Sequence, residues 1–181
     1  CSIIKMLLSG TINQDSIHNF SSEVRNRIEA ILMCSSNTSW KCINNQYRIT
    51  PPEDKRAKIV YDKIVKDLTG NSSKKCSDIF DEYSKPPYGM SEDIITLMIA
   101  VICANLSYCL RFKYKDEIRN INNWKELVII KDKKIKIDVI RDSTFIVVDA
   151  GQVVTKYKRL FTRIQDNRIM LEVAALAREL E

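Results

Sequence analysis

The sequence predicts an α+β domain, mainly helical, in which helical hairpins surround a buried central helix and a winged-helix-like β-hairpin element is attached. Three observations lead there. Apolar residues recur at spacings of three and four through several segments of the first hundred residues, the mark of one-sided helices. The segment from Ser91 to about Leu106 is apolar on nearly every side, as in a helix buried all round. Beyond it the period changes, and short alternating runs appear at Tyr108 to Tyr114 and Lys133 to Val148.

Taken in order, Ile3, Ile4, Leu7 and Leu8 belong to a helical piece that Gly10 closes. The chain starts at Cys1 with what looks like the end of a helix, so a fragment of something larger is expected. A second helix begins near Ser21 or Ser22 with Glu23 in its first turn, and Val24, Ile28 and Ile31 form its face. Residues 34–39 form a polar loop, and Trp40 to Ile49 is a short strand or an irregular passage.

Thr50-Pro51-Pro52-Glu53 predicts a helix start, with Thr50 as cap, Pro51 at the first helical position and Glu53 closing a capping box. Ala57, Val60, Tyr61, Ile64 and Leu68 then share a face that Gly70 ends. Ser72 or Ser73 opens another helix with Cys76, Ile79, Phe80 and Tyr83 inward. Pro86-Pro87 stops it, because proline donates no backbone bond and restricts the residue before it. Gly89 permits a tight turn, Ser91 caps the central helix, and Glu92 and Asp93 suit its positive end.

Tyr108 to Tyr114 reads as a half-buried strand. Asn122 or Asn123 starts a short helix through Trp124, Leu127 and Val128. Ile135, Ile137 and Val139 alternate with Lys134, Lys136 and Asp138, Arg141-Asp142-Ser143 turns, and Thr144 to Val148 is β-branched, so residues 133–148 are expected to form a β-hairpin. Gly151 leads into a closing helix with a narrow apolar stripe at Val153, Tyr157, Leu160, Ile164, Leu171 and Ala174. The expected organisation is a helical subdomain over 1–84, a winged-helix-like subdomain over 85–150 and a C-terminal helix over 151–181.

The 181 residues carry a formal net charge of +6, which permits contact with nucleic acid or an acidic partner. Six cysteines stand at positions 1, 34, 42, 76, 103 and 109 without close pairing, and His18 is the only histidine. A structural zinc site needs four ligands, usually in close pairs, so no metal is expected. Cys103, among Ile and Ala, reads as a small buried apolar residue, and reduced thiols in a cytoplasmic protein are the simplest reading. The longest apolar run, Ile94 to Ala104, is too short to cross a bilayer, which takes about 20 residues.

Four scattered glycines and no Gly-Lys-Ser or Gly-Lys-Thr exclude a phosphate loop. No Gly-x-Ser-x-Gly elbow is present, and His18 has no nucleophile near it in sequence. No catalytic residue, cofactor or metal is assigned. The candidate DNA-binding residues are Lys131, Lys133, Lys134, Lys136 and Arg141, which would lie along a phosphate backbone if the hairpin projects as a wing. Lysine on a strand's outer face also keeps it soluble and blocks edge pairing, which is the competing reading. Arg111, Lys113 and Lys115 alternate on the preceding strand and would extend a basic sheet face. Lys156, Arg159 and Arg163 share a face of the closing helix. Tyr88 is expected to pack its ring over the start of the central helix.

Tyr83-Ser84-Lys85-Pro86-Pro87-Tyr88-Gly89-Met90-Ser91, followed by Asp93-Ile94-Ile95 and Leu97-Met98-Ile99-Ala100, resembles a segment of large bacterial P-loop ATPases of the BREX-type phage-defence class. In those proteins the block looks like a helical and winged-helix-like region outside the ATPase core. The resemblance covers residues 75–150 at best, and the phosphate loop and its acidic partner are absent here. It implies a non-catalytic accessory domain of a phage-defence ATPase, with duplex DNA and other defence-system subunits as partners and no membrane contact. The alternative is a protein-interaction domain without nucleic acid, docking through Val153, Leu160 and Ile164.

Overall fold

The computed structural model describes residues 2–10, 12–33, 39–71, 73–130 and 134–148. Residues Cys1–Val147 form one compact unit and Val148–Glu181 a second. The expected closing helix, with its stripe and its cations, lies outside the described residues.

Among the described residues the first unit is α+β and mainly helical. Its helices are α1 (Ser2–Ser9), α2 (Gln14–His18), α3 (Ser22–Leu32), α4 (Lys55–Asn71), α5 (Cys76–Tyr83), α6 (Glu92–Asn105), α7 (Ile121–Val128) and α8 (Ile137–Asp142). Its strands are β1 (Ser73–Lys75), β2 (Leu110–Tyr114), β3 (Glu117–Arg119) and β4 (Thr144–Val147). They form one antiparallel sheet in the order β1-β4-β2-β3.

The centre is α6, as its composition requires. Every residue from Ile95 to Cys103 is buried. The one polar side chain in that run, Thr96, donates its hydroxyl proton to the carbonyl of Glu92 at 2.7 Å, so no bare hydroxyl is left in the core. Helices α1, α4 and α5 pack on α6. The inward faces expected of α4 and α5 are found: Ala57, Val60, Tyr61, Ile64 and Leu68 are buried, as are Cys76, Ile79, Phe80 and Tyr83. On the sheet's inner face, Phe112 stacks on Trp124 with centroids 4.1 Å apart, and Phe145 meets Phe112 edge-on at 5.2 Å.

Several local expectations are corrected. Helix α4 starts at Lys55, and its cap is Asp54, whose carboxylate accepts from the backbone N–H groups of Arg56 and Ala57. Thr50 is spent elsewhere, with its N–H bonded to the carbonyl of Cys42 at 2.7 Å. Residues 73–75 open no helix; they are strand β1, paired with β4. That pairing, and a single core running from Met6 to Phe145, join residues on both sides of the expected boundary at 84/85.

The expected hairpin over 133–148 does not form. Residues Ile137–Asp142 are helix α8 and only Thr144–Val147 is a strand. The alternation of Ile135, Ile137 and Val139 fits both periods, and Val139 and Ile140, adjacent in sequence, are both buried, which a strand with one covered face does not allow. A hairpin is present earlier, between β2 and β3, closed by Lys115 and Asp116 with φ of 49° and 64°. Two consecutive left-handed residues form the tight turn whose twist suits paired strands.

Candidate nucleic-acid interface

Strand register fixes which cations share a surface. Thr144 lies opposite both Lys75 of β1 and Lys113 of β2, and Lys113 lies opposite Ile118 of β3. Directly paired residues point to one face of a sheet. Lys75, Thr144, Lys113 and Ile118 therefore form a row across all four strands. A second row, Ser73, Ile146 and Arg111, runs beside it. The intervening residues Lys74, Phe145 and Phe112 point inward, and Phe145 and Phe112 are fully buried. Lys75, Lys113 and Ile118 are exposed, whereas the Lys115 ammonium lies over the ring of Tyr114, which points to the other face.

The acid nearest this surface holds it weakly. Asp116 pairs with Lys113 at 3.1 Å, but its own side chain is 95% exposed, and such pairs contribute little against water. Strand spacing places the Lys75 and Lys113 backbones about 10 Å apart, and Arg111 and Lys113 are about 7 Å apart along β2. The arrangement is a cationic surface on which Thr144 separates Lys75 from Lys113, with Ile118 and Ile146 beside the charges.

The cations proposed from sequence stand differently. Lys131 and Lys133 lie outside the described residues. Lys134 and Lys136 are exposed, on the link between α7 and α8, where Ile129 bridges Ile135. Arg141 is engaged. Its guanidinium donates to Glu92 at 2.8 Å, stands 3.8 Å from Asp81, and lies over the Phe80 ring at 4.9 Å. It ties α8 to α5 and α6, and binding phosphate would require it to leave two carboxylates. The sheet cations were only half legible: Arg111 and Lys113 announce themselves by alternation, whereas nothing in Ser73-Lys74-Lys75 marks a strand.

Two other features bear on function. A cleft of about 460 Å³ is lined mainly by apolar residues, among them Trp40, Ile59, Val60, Tyr88, Met90 and Ile94. Ile59 is 62% exposed there. Tyr88 lies against Tyr83 of α5, with ring centroids 4.7 Å apart. Beside them Lys63 donates to Glu82 at 2.5 Å and to the Tyr88 hydroxyl at 3.4 Å, and Lys74 donates to Asp67 at 2.6 Å. The hydrogen bond from Lys63 holds the Glu82 carboxyl below the usual carboxylate range. The Tyr83 hydroxyl is buried and has no hydrogen-bond partner, and burial pushes its pKa up.

Cys42, Cys76, Cys103 and Cys109 are buried and in no disulfide, and burial raises the thiols of Cys76, Cys103 and Cys109. Thiols so placed are poor nucleophiles. Among the described residues no group of three or more His, Cys, Asp and Glu side chains is placed to hold a metal ion, and no helix is long and apolar enough to cross a membrane. His18 is exposed on α2. No family model, curated protein or solved structure matches this chain.

Proposed function

We propose that this chain is a non-catalytic accessory domain that contacts the phosphate backbone of nucleic acid through the outer face of its sheet. The observation that supports this most directly is the row Lys75–Thr144–Lys113, which puts cations of two separate strands on one surface. The contact is electrostatic and carries no sequence information, since phosphate contacts position a protein without reading bases. Binding then weakens steeply with salt, because each neutralised phosphate releases counterions. The resemblance of residues 83–100 to phage-defence ATPases supports a setting as one part of a larger defence machine. In that setting the chain holds nucleic acid while chemistry occurs elsewhere.

The test is charge reversal. Lys75→Glu with Lys113→Glu is expected to abolish binding of the full chain to nucleic acid at low salt, with an unchanged circular dichroism spectrum. Retained binding in that variant overturns the assignment of this face.

A second reading, a protein-interaction domain with no nucleic acid, is favoured by the apolar cleft. Its lining and the 62% exposure of Ile59 suit an apolar anchor from a partner subunit. The docking residues expected for this reading, Val153, Leu160 and Ile164, lie outside the described residues.

A further inference from the structure

We infer that the nucleic acid taken by this surface is single-stranded. The inference rests on the proposed backbone contact and concerns which form of the polymer fits. Charge alone does not distinguish the forms. The aliphatic residues beside the charges do.

Ile118 is 65% exposed and stands directly opposite Lys113. Ile146 stands opposite Arg111 on one side and Ser73 on the other. Aliphatic and cationic side chains therefore adjoin one another on the same face. A duplex offers such a face its sugar–phosphate exterior, with the base planes stacked inside. Backbone contact to a duplex needs no groove entry, but it leaves Ile118 and Ile146 without a base face to cover.

A single strand presents both surfaces together. Its phosphates meet Lys75, Lys113 and Arg111, and its unstacked bases lay their apolar faces on Ile118 and Ile146. This is the general logic of single-strand platforms, a cationic track combined with side chains that accept base faces. Aliphatic side chains here take the position that aromatic ones often hold. Such contact accepts every base, so little sequence preference follows.

The experiment is fluorescence anisotropy of the full chain with a labelled mixed-sequence DNA strand about 16 nucleotides long, alone and annealed to its complement. Salt is varied between about 50 and 200 mM. The single strand is expected to bind at least about tenfold more tightly than the duplex. Ile118→Ser is expected to weaken single-strand binding several-fold without changing the salt slope, because an apolar contact releases no counterions. Lys113→Gln is expected to lower the magnitude of that slope by about 0.7. A duplex bound as tightly as the single strand overturns the inference and leaves backbone contact standing. So does an Ile118→Ser variant that binds like the parent. Absence of binding to either form overturns the inference and the proposed function together.

Discussion

The indole Nε1 of Trp124 donates a 2.8 Å hydrogen bond to the Oγ of Ser143, and both residues are buried. Ser143 passes its own hydroxyl proton to the carbonyl of Val139 at 2.6 Å, and its carbonyl accepts from the Cys76 N–H at 2.9 Å. One small residue thus joins α7, the end of α8 and the start of α5. Ser143→Ala leaves the Trp124 N–H buried without a partner, a loss of about 1–3 kcal/mol. Urea denaturation followed by tryptophan fluorescence checks this, and an unchanged midpoint would show that the bond adds nothing.

The reverse outcome is expected at Tyr83. Its hydroxyl is already buried and unpaired. Tyr83→Phe removes a desolvated polar atom and keeps the ring contact with Tyr88, so stability should hold or rise, by up to about 1–2 kcal/mol. A loss comparable to that of Ser143→Ala would mean that the hydroxyl has a partner in solution.

Glu82 sets an acid dependence. Its folded pKa lies below the usual value because Lys63 hydrogen-bonds to the ionised form. Such a carboxyl contributes stability that is complete above its unfolded pKa, about 4.3, and lost as pH falls through the lower folded value. Glu82→Gln should therefore flatten the fall in stability below about pH 4.3. Denaturation midpoints across a pH series, compared between the parent and this variant, provide the check.

Arg141 separates the two basic surfaces. It is paired with Glu92 and Asp81 and is 41% exposed, so Arg141→Gln should cost no more than about 1 kcal/mol. It should leave nucleic-acid affinity unchanged where Lys113→Glu reduces it. A large loss of affinity in Arg141→Gln would return the interface to the α8 region first suggested by the sequence.

These contrasts also show how far the residues could be read unaided. The burial of α6 was legible because no polar face exists on it, and no alternative fold leaves such a helix in water. The inward faces of α4 and α5 were legible because their apolar residues obey one period over several turns. Helix α8 was not, because six residues are too few to separate a helical period from an alternating one. β1 and β3 have three residues each and owe their existence to neighbouring strands, a non-local cause that local pattern does not record. The turn at Lys115-Asp116 lacks the glycine that usually announces left-handed backbone, so the real hairpin went unmarked while the expected one was placed some twenty residues later. The basic sheet face was visible only along β2, and its completion by Lys75 needed the register of β4.

The order in which α6 and its covering are made has a biological cost. This greasy rod ends at Asn105, while the last strand that closes the core ends at Val147. At a synthesis rate of about 5–20 residues per second, the ribosome needs roughly 2–8 s to deliver what lies between them. For that interval the nascent polypeptide carries nine consecutive residues that belong in a dry interior with only part of their shelter in place. Yield in a cell should therefore respond to growth temperature and to holdase chaperones more than to any change on the lysine-bearing exterior.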